Sequence, residues 1–205
     1  PNDYPDMPSS LMHIYLIEAG PRLLAGMSEE SSAHAEQFLR EMGVNILLNK
    51  RVVDYRDHKV VLEDGTEIAT RTFIWVSGVT GVTIGNLDAS LIGRGGRIKV
   101  DSFNRVEGMN NVFAIGDQCI QLADENYPNG HPQLAQVAIQ QGELLAKNLI
   151  RMEKGQEMKP FHYRNLGSMA TVGRNRAVAE FSKVKMQGWF AWVMWLVVHL
   201  RSILG

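Results

Sequence analysis

Cysteine is almost absent from this sequence of 205 residues, which contains only Cys119. One thiol cannot form a disulfide within the chain, a paired redox centre or a structural zinc site. A reducing setting on the cytoplasmic side is therefore the default, and no metal site is expected. An excess of charge of one sign is also absent, because 21 Lys and Arg residues stand against 22 Asp and Glu. The net charge of −1 gives no electrostatic basis for binding nucleic acid.

A signal-peptide hydrophobic stretch and the glycine fingerprint GxGxxG are missing as well. Residues 1–10 are instead rich in Pro, Asp and Ser, which is typical of a linker. At the other end, residues 188–205 are mostly apolar. Both ends have the character of cut ends, and we expect the chain to be a piece of a longer protein.

The composition, 45% apolar and 21% charged, is that of a folded globular protein, and the first pattern along it is a β-α-β unit. The runs 13–18 and 44–49 have the length and residue types of strands. Between them, Ser28 can cap a helix whose apolar residues recur at helical spacing, and Gly43 stands where a C-terminal cap belongs. Parallel strands need such a crossover helix.

Three further apolar runs, 51–55, 58–62 and 72–78, are separated by short polar turns and predict an antiparallel β-meander. The glycine-rich stretch 78–96 follows, and we interpret it as the crossing between two domains. The run 110–117 then predicts a buried strand that ends in Gly-Asp.

A helix is predicted at about residues 133–153. Its apolar side is formed by Leu134, Ala138, Leu145, Leu149 and Met152. Beyond it the composition becomes basic, since residues 154–187 hold seven Lys and Arg against two Glu. Within this basic part, 167–174 and 177–184 predict two strands.

Two carboxylates stand at the ends of predicted strands. Glu18 ends the first run, and Asp117 follows Gly116 at the end of 110–117. Ligands bind at the carboxyl edge of α/β sheets, where a glycine allows close approach and a carboxylate accepts bonds from sugar hydroxyls. The plain alternatives are a solvated Glu18 and an Asp117 that caps the next turn.

The start of the 133–153 helix has its own pattern. Pro132 is tolerated just before a helix, and the first-turn N–H groups can face an electron-rich ring. Gln136 and Gln140 are four residues apart and share one helix face. The alternative is a solvated helix whose glutamines point outward, and we assign Gln141 to that description.

Residues 189–198 are ten consecutive apolar positions. They span about 15 Å of helix, too short to cross a hydrocarbon core of about 30 Å. Three of the four tryptophans lie here, and tryptophan favours the lipid headgroup level. A membrane-surface helix is therefore predicted, with a buried core helix as the alternative.

The GD pair at 116–117, the AQxAxQQG pattern from Ala135 and the terminal aromatic helix together resemble type II NADH dehydrogenases. The resemblance covers residues 11–205. It implies a flavoprotein that passes electrons from NADH through FAD to a quinone without proton pumping, at the cytoplasmic face of the cell membrane. It implies no catalytic side chain, because the cofactor carries the redox chemistry.

The resemblance also implies a set of contact residues for each ligand. For FAD they are Gly116, Asp117, Leu134, Ala135 and Gln136. For NADH they are Glu18, Ser77, Gly78 and Val79. For the quinone they are Gln136, Gln140, Leu166 and Met169, with many members carrying lysine at the position of Leu166. For the membrane lipid surface they are Trp189, Phe190, Trp192, Val193, Trp195 and Leu196.

The implied fold class is α/β, with partial doubly wound, Rossmann-like domains, an antiparallel meander, a C-terminal strand pair and an amphipathic surface helix. Residues 11–80 are assigned to an NADH-binding domain, 81–153 to a FAD-binding domain and 154–205 to a quinone and membrane region. Neither FAD nor NADH is expected to bind tightly to this chain alone. A homodimer, the identity of the quinone and the choice between NADH and NADPH stay open.

Two other functions are kept as alternatives. A sulfide:quinone oxidoreductase of similar architecture needs paired redox cysteines, and Cys119 stands alone here. A catalytically inactive, membrane-associated binding module is the second, and it gains weight if this chain is all that exists. The residues upstream of Pro1 would discriminate, since a glycine fingerprint there favours the enzyme.

Overall fold

The computed structural model describes residues 12–82, 84–182 and 184–204, which form two compact units. The first unit combines the described residues up to Ile74 with those from Leu166 onward, and the second runs from Trp75 to Asn165. The predicted linker 1–10 lies outside the described residues. The units do not follow the predicted boundaries at 80 and 153, but compactness does not show what a unit binds, so the domain assignments stay predictions.

The first unit opens with the predicted β-α-β arrangement. Strand β1 (Ile14–Ile17) pairs in parallel with β2 (Val44–Leu47), and helix α1 (Glu29–Glu41) connects them. The Ser28 hydroxyl accepts the N–H of Ser31 at 3.3 Å, as expected of an N-cap. Gly43 has a φ of +83°, the left-handed conformation that ends helices. The prediction is confirmed.

The meander follows as β3 (Val52–Arg56), β4 (Lys59–Leu62) and β5 (Glu67–Ala69), all antiparallel. The predicted strand at 72–78 is wrong, because these residues form no strand in the described part of the chain and Val76 is 89% exposed. After the turn at 64–65, residues 67–69 pair with β4 as β5. The free edge of β4 is therefore taken before the chain reaches 72–78. An apolar run indicates β-propensity but not a pairing partner.

The second unit contains β6 (Ile98–Val100), which pairs in parallel with β7 (Cys119–Gln121), and helix α2 (Ala135–Glu153). The predicted buried strand at 110–117 is wrong: it is reduced to an isolated bridge between Phe113 and Arg105. The reason is pairing, since β6 takes β7 as its neighbour. A short 3-10 turn, Gly116–Gln118, leads into β7.

The predicted apolar side of α2 is also wrong in part, because Leu134, Leu149 and Met152 are exposed. The fully buried positions are Val137, Gln141 and Asn148. Two of these three carry amides, which can be buried because the backbone around them supplies hydrogen-bond partners.

The C-terminal part returns to the first unit as the antiparallel sheet β8 (Ser168–Thr171), β9 (Ala177–Phe181) and β10 (Val184–Gln187), with β9 central. The two predicted strands are confirmed, and β10 is an addition. Helix α1 packs on this sheet through Ala35 and Val178. Helix α3 (Gly188–Leu204) also packs on it, where Ala177, Ala179 and Ala191 are completely buried. The α/β fold class is confirmed.

Candidate functional site

The amino end of α2 has no side-chain cap. Leu134 occupies the N-cap position, and its apolar side chain accepts no hydrogen bond. The N–H group of Ala135 has no acceptor within the helix. Leu134 and Ala135 are both exposed, so the positive end of the helix dipole faces an accessible surface. Such an end suits an anionic or electron-rich group.

The Gly116–Asp117 turn lies directly beside this helix. The N–H of Gly116 donates to Oε1 of Gln141 at 2.7 Å. Gly116 has a φ of +65°, and a Cβ added to it would stand 3.2 Å from Cβ of Ala138. Glycine is therefore required by the backbone conformation and by the close approach of α2. The turn and the first turns of α2 form one connected surface.

Asp117 lies in this turn with a carboxylate that has no hydrogen-bond partner among the described residues. Its side chain is exposed, and its carboxylate makes no hydrogen bond or ion pair with the described residues. Its backbone oxygen accepts a bond from Nε2 of Gln133 at 3.2 Å, which ties the turn to the segment before α2. A cap of the next turn would accept a backbone N–H on its carboxylate, and no N–H of the described residues donates to the Asp117 carboxylate. The carboxylate is available to a ligand.

The prediction that Gln141 points into solvent is wrong. Gln141 is 1% exposed, and its amide lies between the Gly116 N–H and the Cys119 thiol. The signal was present in the sequence: Gln141 lies three residues after Ala138 and four before Leu145, both on the predicted inner side. Burial raises the pKa of the Cys119 thiol, which makes it a poor nucleophile.

Gln140 has a structural role beside the predicted quinone contact. Its Nε2 donates to the carbonyl of Arg164 at 2.9 Å, and its Oε1 accepts the Arg164 N–H at 3.1 Å. Asn148 makes the same pair of bonds with the backbone of Lys159, at 2.8 and 2.9 Å. These two amides, of which sequence reasoning missed Asn148, hold the segment 159–164 along α2.

The predicted NADH residues are divided between the two units. Glu18 lies at the end of β1 in the first unit, where its Oε1 accepts the Gly20 N–H at 2.7 Å. Ser77, Gly78 and Val79 are exposed residues of the second unit. Glu18 thus has a local turn contact, and its grouping with the other three stays a prediction.

The predicted quinone residues are divided in the same way. Gln136, which is half-buried, and Gln140 belong to the second unit, whereas Leu166 and Met169 belong to the first. Leu166 is exposed, and Met169 packs against the alanine cluster under α3. The role of this set in quinone binding stays a prediction.

Helix α3 has a face toward the sheet and a face toward solvent. Trp192 packs on the alanine cluster, and three more of the predicted membrane residues, Val193, Trp195 and Leu196, are half-buried. The outer face is nevertheless strongly apolar. Its exposed residues are Trp189, Phe190, Met194, Val197, Val198, Leu200, Ile203 and Leu204. In the described part of the chain, no helix has the length and apolar character needed to cross a membrane.

Comparison with known proteins identifies relatives of this arrangement. The family model for pyridine nucleotide-disulphide oxidoreductases matches residues 9–142. The type II NADH:quinone oxidoreductase NdhA of Mycobacterium tuberculosis is 35% identical over 205 aligned residues, which are 94% of this chain and 42% of that protein. The chain therefore spans less than half the length of this curated relative.

Solved structures share the fold. The structure of NDH2 from Plasmodium falciparum in complex with NADH superposes with a TM-score of 0.82 at 20% identity, over 95% of this chain and 55% of that one. The sulfide:quinone oxidoreductase of Aquifex aeolicus superposes with a TM-score of 0.67 at 15% identity, over 87% of this chain and 46% of that one. At these identities the likeness shows the fold alone.

Proposed function

The chain belongs to the pyridine nucleotide-disulphide oxidoreductase family, and we propose that it is part of a FAD-dependent type II NADH:quinone oxidoreductase. The observation that carries this proposal is the exposed Asp117 carboxylate, which has no hydrogen-bond partner in the described part of the chain, beside the uncapped amino end of α2. The similarity to M. tuberculosis NdhA, which extends over 94% of this chain, supports the choice of donor and acceptor.

The residues of this surface suit a flavin. When bound, FAD would take a hydride from NADH and pass two electrons to the quinone, which gains two protons to become the quinol. Asp117 would accept hydrogen bonds from hydroxyls of the ribityl chain. The Ala135 N–H group and the α2 dipole would stabilise negative charge at the pyrimidine edge of the ring. Gly116 allows the close approach of the turn to α2, so that both groups would lie on the same surface.

The substrate contacts are proposed on the two units separately. In the first unit, Glu18 would accept bonds from the adenosine ribose of NADH, and Leu166 and Met169 would border the quinone. In the second unit, Ser77, Gly78 and Val79 would contact NADH, and Gln136 would border the quinone. Gln140 would act by holding the backbone of Arg164.

We further propose that α3 holds the enzyme on the membrane surface through its outer face. The helix contains no acidic residue, and its charged residue, Arg201, lies in the last turn. Each exposed apolar side chain that enters lipid contributes roughly 1.5–3 kcal/mol. Peripheral attachment at the cytoplasmic face would leave the NADH site on the side where NADH is made.

Comparing NADH with sulfide as the electron donor distinguishes this function from that of a sulfide:quinone oxidoreductase. The full-length enzyme should reduce a quinone when NADH is supplied and should not respond to sulfide. The sulfide:quinone oxidoreductase alternative is supported by the likeness in fold. Its chemistry needs a pair of accessible redox cysteines, whereas the cysteine of this chain, Cys119, is buried. Quinone reduction that depends on sulfide, with no response to NADH, would replace our proposal. A full-length protein without flavin would favour a binding module.

A further inference from the structure

The loop between β7 and α2 is closed by a buried pair of side chains. Asp124 and His131 are 6% and 4% exposed, and Nε2 of His131 lies 3.0 Å from Oδ2 of Asp124. The hydrogen bond with His131 lowers the pKa of the Asp124 carboxyl, which is therefore an ionised acceptor. Nε2 is then the donor. The other oxygen, Oδ1, accepts the N–H of Asn126 at 3.0 Å.

The His131 side of this pair is fixed by its surroundings. The ring contacts those of Tyr127 and Phe161, with centroids 5.1 and 5.2 Å away. The buried Arg97 donates from Nη1 to the His131 carbonyl at 3.0 Å. Nδ1 of His131 has no partner among the described residues, so the bond to Asp124 is the directional contact of the ring.

The backbone around the pair is tightly packed at Gly130. Gly130 has a φ of +84°, and a Cβ added there would stand 2.6 Å from Cγ1 of Ile120 and 3.0 Å from Nη2 of Arg97. The N–H of Gly130 donates to the Tyr127 carbonyl at 2.8 Å. The segment from Asp124 to His131 is thus held by hydrogen bonds and by close packing against Ile120 and Arg97.

Only two residues, Pro132 and Gln133, separate His131 from Leu134, the N-cap of α2. Pro132 restricts the backbone, and its carbonyl accepts the N–H of Leu134 at 3.0 Å. Between them, Gln133 donates to the backbone oxygen of Asp117 at 3.2 Å. The segment that begins at His131 thus contacts both the start of α2 and the Gly116–Asp117 turn.

We propose that the Asp124–His131 pair, with Arg97, is a loop latch that positions the amino end of α2 and Asp117 for the flavin. A buried pair of this kind is weak evidence for stability, and we assign this one to fixing the geometry of the loop. The latch rests on the proposed function. It touches no flavin atom in this scheme and acts through Leu134, Ala135 and Asp117. Loss of the latch should therefore change the midpoint potential of the flavin.

The test compares three variants of the full-length enzyme. His131→Phe keeps the ring packing and removes the bond to Asp124, and His131→Gln keeps a donor near the position of Nε2. Tyr163→Phe is the matched control, because its buried hydroxyl has no partner among the described residues and its ring lies 5.9 Å from that of His131. The readouts are the flavin midpoint potential and amide hydrogen exchange at residues 125–137.

Misaligned N–H groups stabilise the reduced, more negative flavin less than aligned ones. In His131→Phe we expect about tenfold weaker preference for reduced over oxidised flavin, which is a midpoint potential ~30 mV lower. Faster exchange at Leu134 and Ala135 should accompany it. His131→Gln should recover most of both effects, and Tyr163→Phe should match the wild type.

Each outcome decides one question. Wild-type potential and exchange in a folded His131→Phe enzyme would overturn the latch and leave the proposed function intact. An equal shift in Tyr163→Phe would reduce the effect to general packing and would also overturn it. If His131→Phe does not fold, Asp124→Leu, which keeps about the size of the side chain and removes both acceptor oxygens, takes its place with the same expectations. A wild-type enzyme that holds no flavin would instead contradict the proposed function.

Discussion

Gly116 and Gln141, 25 residues apart, are joined by a hydrogen bond of 2.7 Å from the Gly116 backbone to the Gln141 side chain. Gln141 is almost fully buried, and its amide also contacts the thiol of Cys119. The Gln141 side chain therefore holds the Gly116–Asp117 turn against α2. The Asp117 carboxylate and the amino end of α2 lie side by side as a result. Buried polar groups of this kind are costly to remove singly, because the partner stays behind without a bond.

We expect Gln141→Ala to destabilise the full-length enzyme by about 1–3 kcal/mol through the unsatisfied Gly116 N–H alone. Urea denaturation measures the change. Gln37→Ala is the control, because Gln37 lies on the exposed face of α1 and its side chain bonds to Glu41, an exposed contact worth about 0.2–0.5 kcal/mol. Equal effects of the two substitutions would contradict the importance of the Gly116 contact.

Asp117→Ala should weaken flavin binding much more than it weakens the fold. A charge-assisted bond contributes about 1.5–3 kcal/mol, which corresponds to one to two decades in affinity. The carboxylate makes no bond with the described protein residues, so the unfolding midpoint should change little. Reconstitution of the apoenzyme with FAD gives the affinity.

The control for Asp117 is Asp88→Ala. Asp88 is an acidic residue of the same unit whose Oδ1 accepts the Ser90 N–H at 2.8 Å in a local turn. It should leave FAD affinity at the wild-type value. Full flavin retention in Asp117→Ala, together with lost stability, would show that Asp117 is structural.

Local signals sufficed for part of this fold. The cap at Ser28 and the glycine at 43 predicted the ends of α1, and the strand-like run 177–184 predicted β9, because caps and strand-forming runs are local signals. The runs 72–78 and 110–117 failed for the opposite reason. They are apolar enough for strands, but strand formation depends on a partner elsewhere in the chain.

The candidate site divides in the same way. Gly116 and Asp117 were predicted from their position, whereas the amide contacts around them were not. Gln140 bonds to Arg164 and Asn148 to Lys159, across 24 and 11 residues of chain. A glutamine that holds a distant backbone and a glutamine in solvent have the same letter in the sequence. Helical spacing alone could have placed Gln141 inward.

Gln136→Ala and Met169→Leu should raise the apparent KM for quinone and leave flavin reduction by NADH nearly unchanged. The leucine is chosen because Met169 packs on the alanine cluster and a volume-conserving change spares that core. Stopped-flow absorbance separates the two half-reactions. Met152→Leu, at an exposed position near the end of α2, is the control. Flavin reduction that slows as much as reoxidation would show that the quinone assignment is wrong.

The outer face of α3 should govern membrane attachment. Removing residues 188–205 should release the enzyme from liposomes, but it would also uncover Ala177 and Ala179 on the sheet. The sharper variant is Phe190→Gln with Val197→Gln, two outward residues that are 70% and 56% exposed. At roughly 1.5–3 kcal/mol for each side chain, flotation should weaken at least tenfold.

Val53→Gln is the matched control for Val197, since Val53 is 55% exposed on β3. It should float like the wild type. High salt should weaken attachment somewhat but should not remove the protein, because salt screens charges and not apolar contacts. Unchanged flotation of the double variant would show that this face does not enter lipid.

In the proposed function, a flavin held by this chain passes electrons from NADH to a quinone. Anaerobic titration of the full-length enzyme tests it most directly, with the visible absorbance of the flavin as the readout. NADH should bleach the flavin at one equivalent per flavin, and a quinone added afterwards should restore the absorbance with formation of the quinol. A flavin that NADH does not bleach, or a bleached flavin that the quinone leaves reduced, would contradict the account.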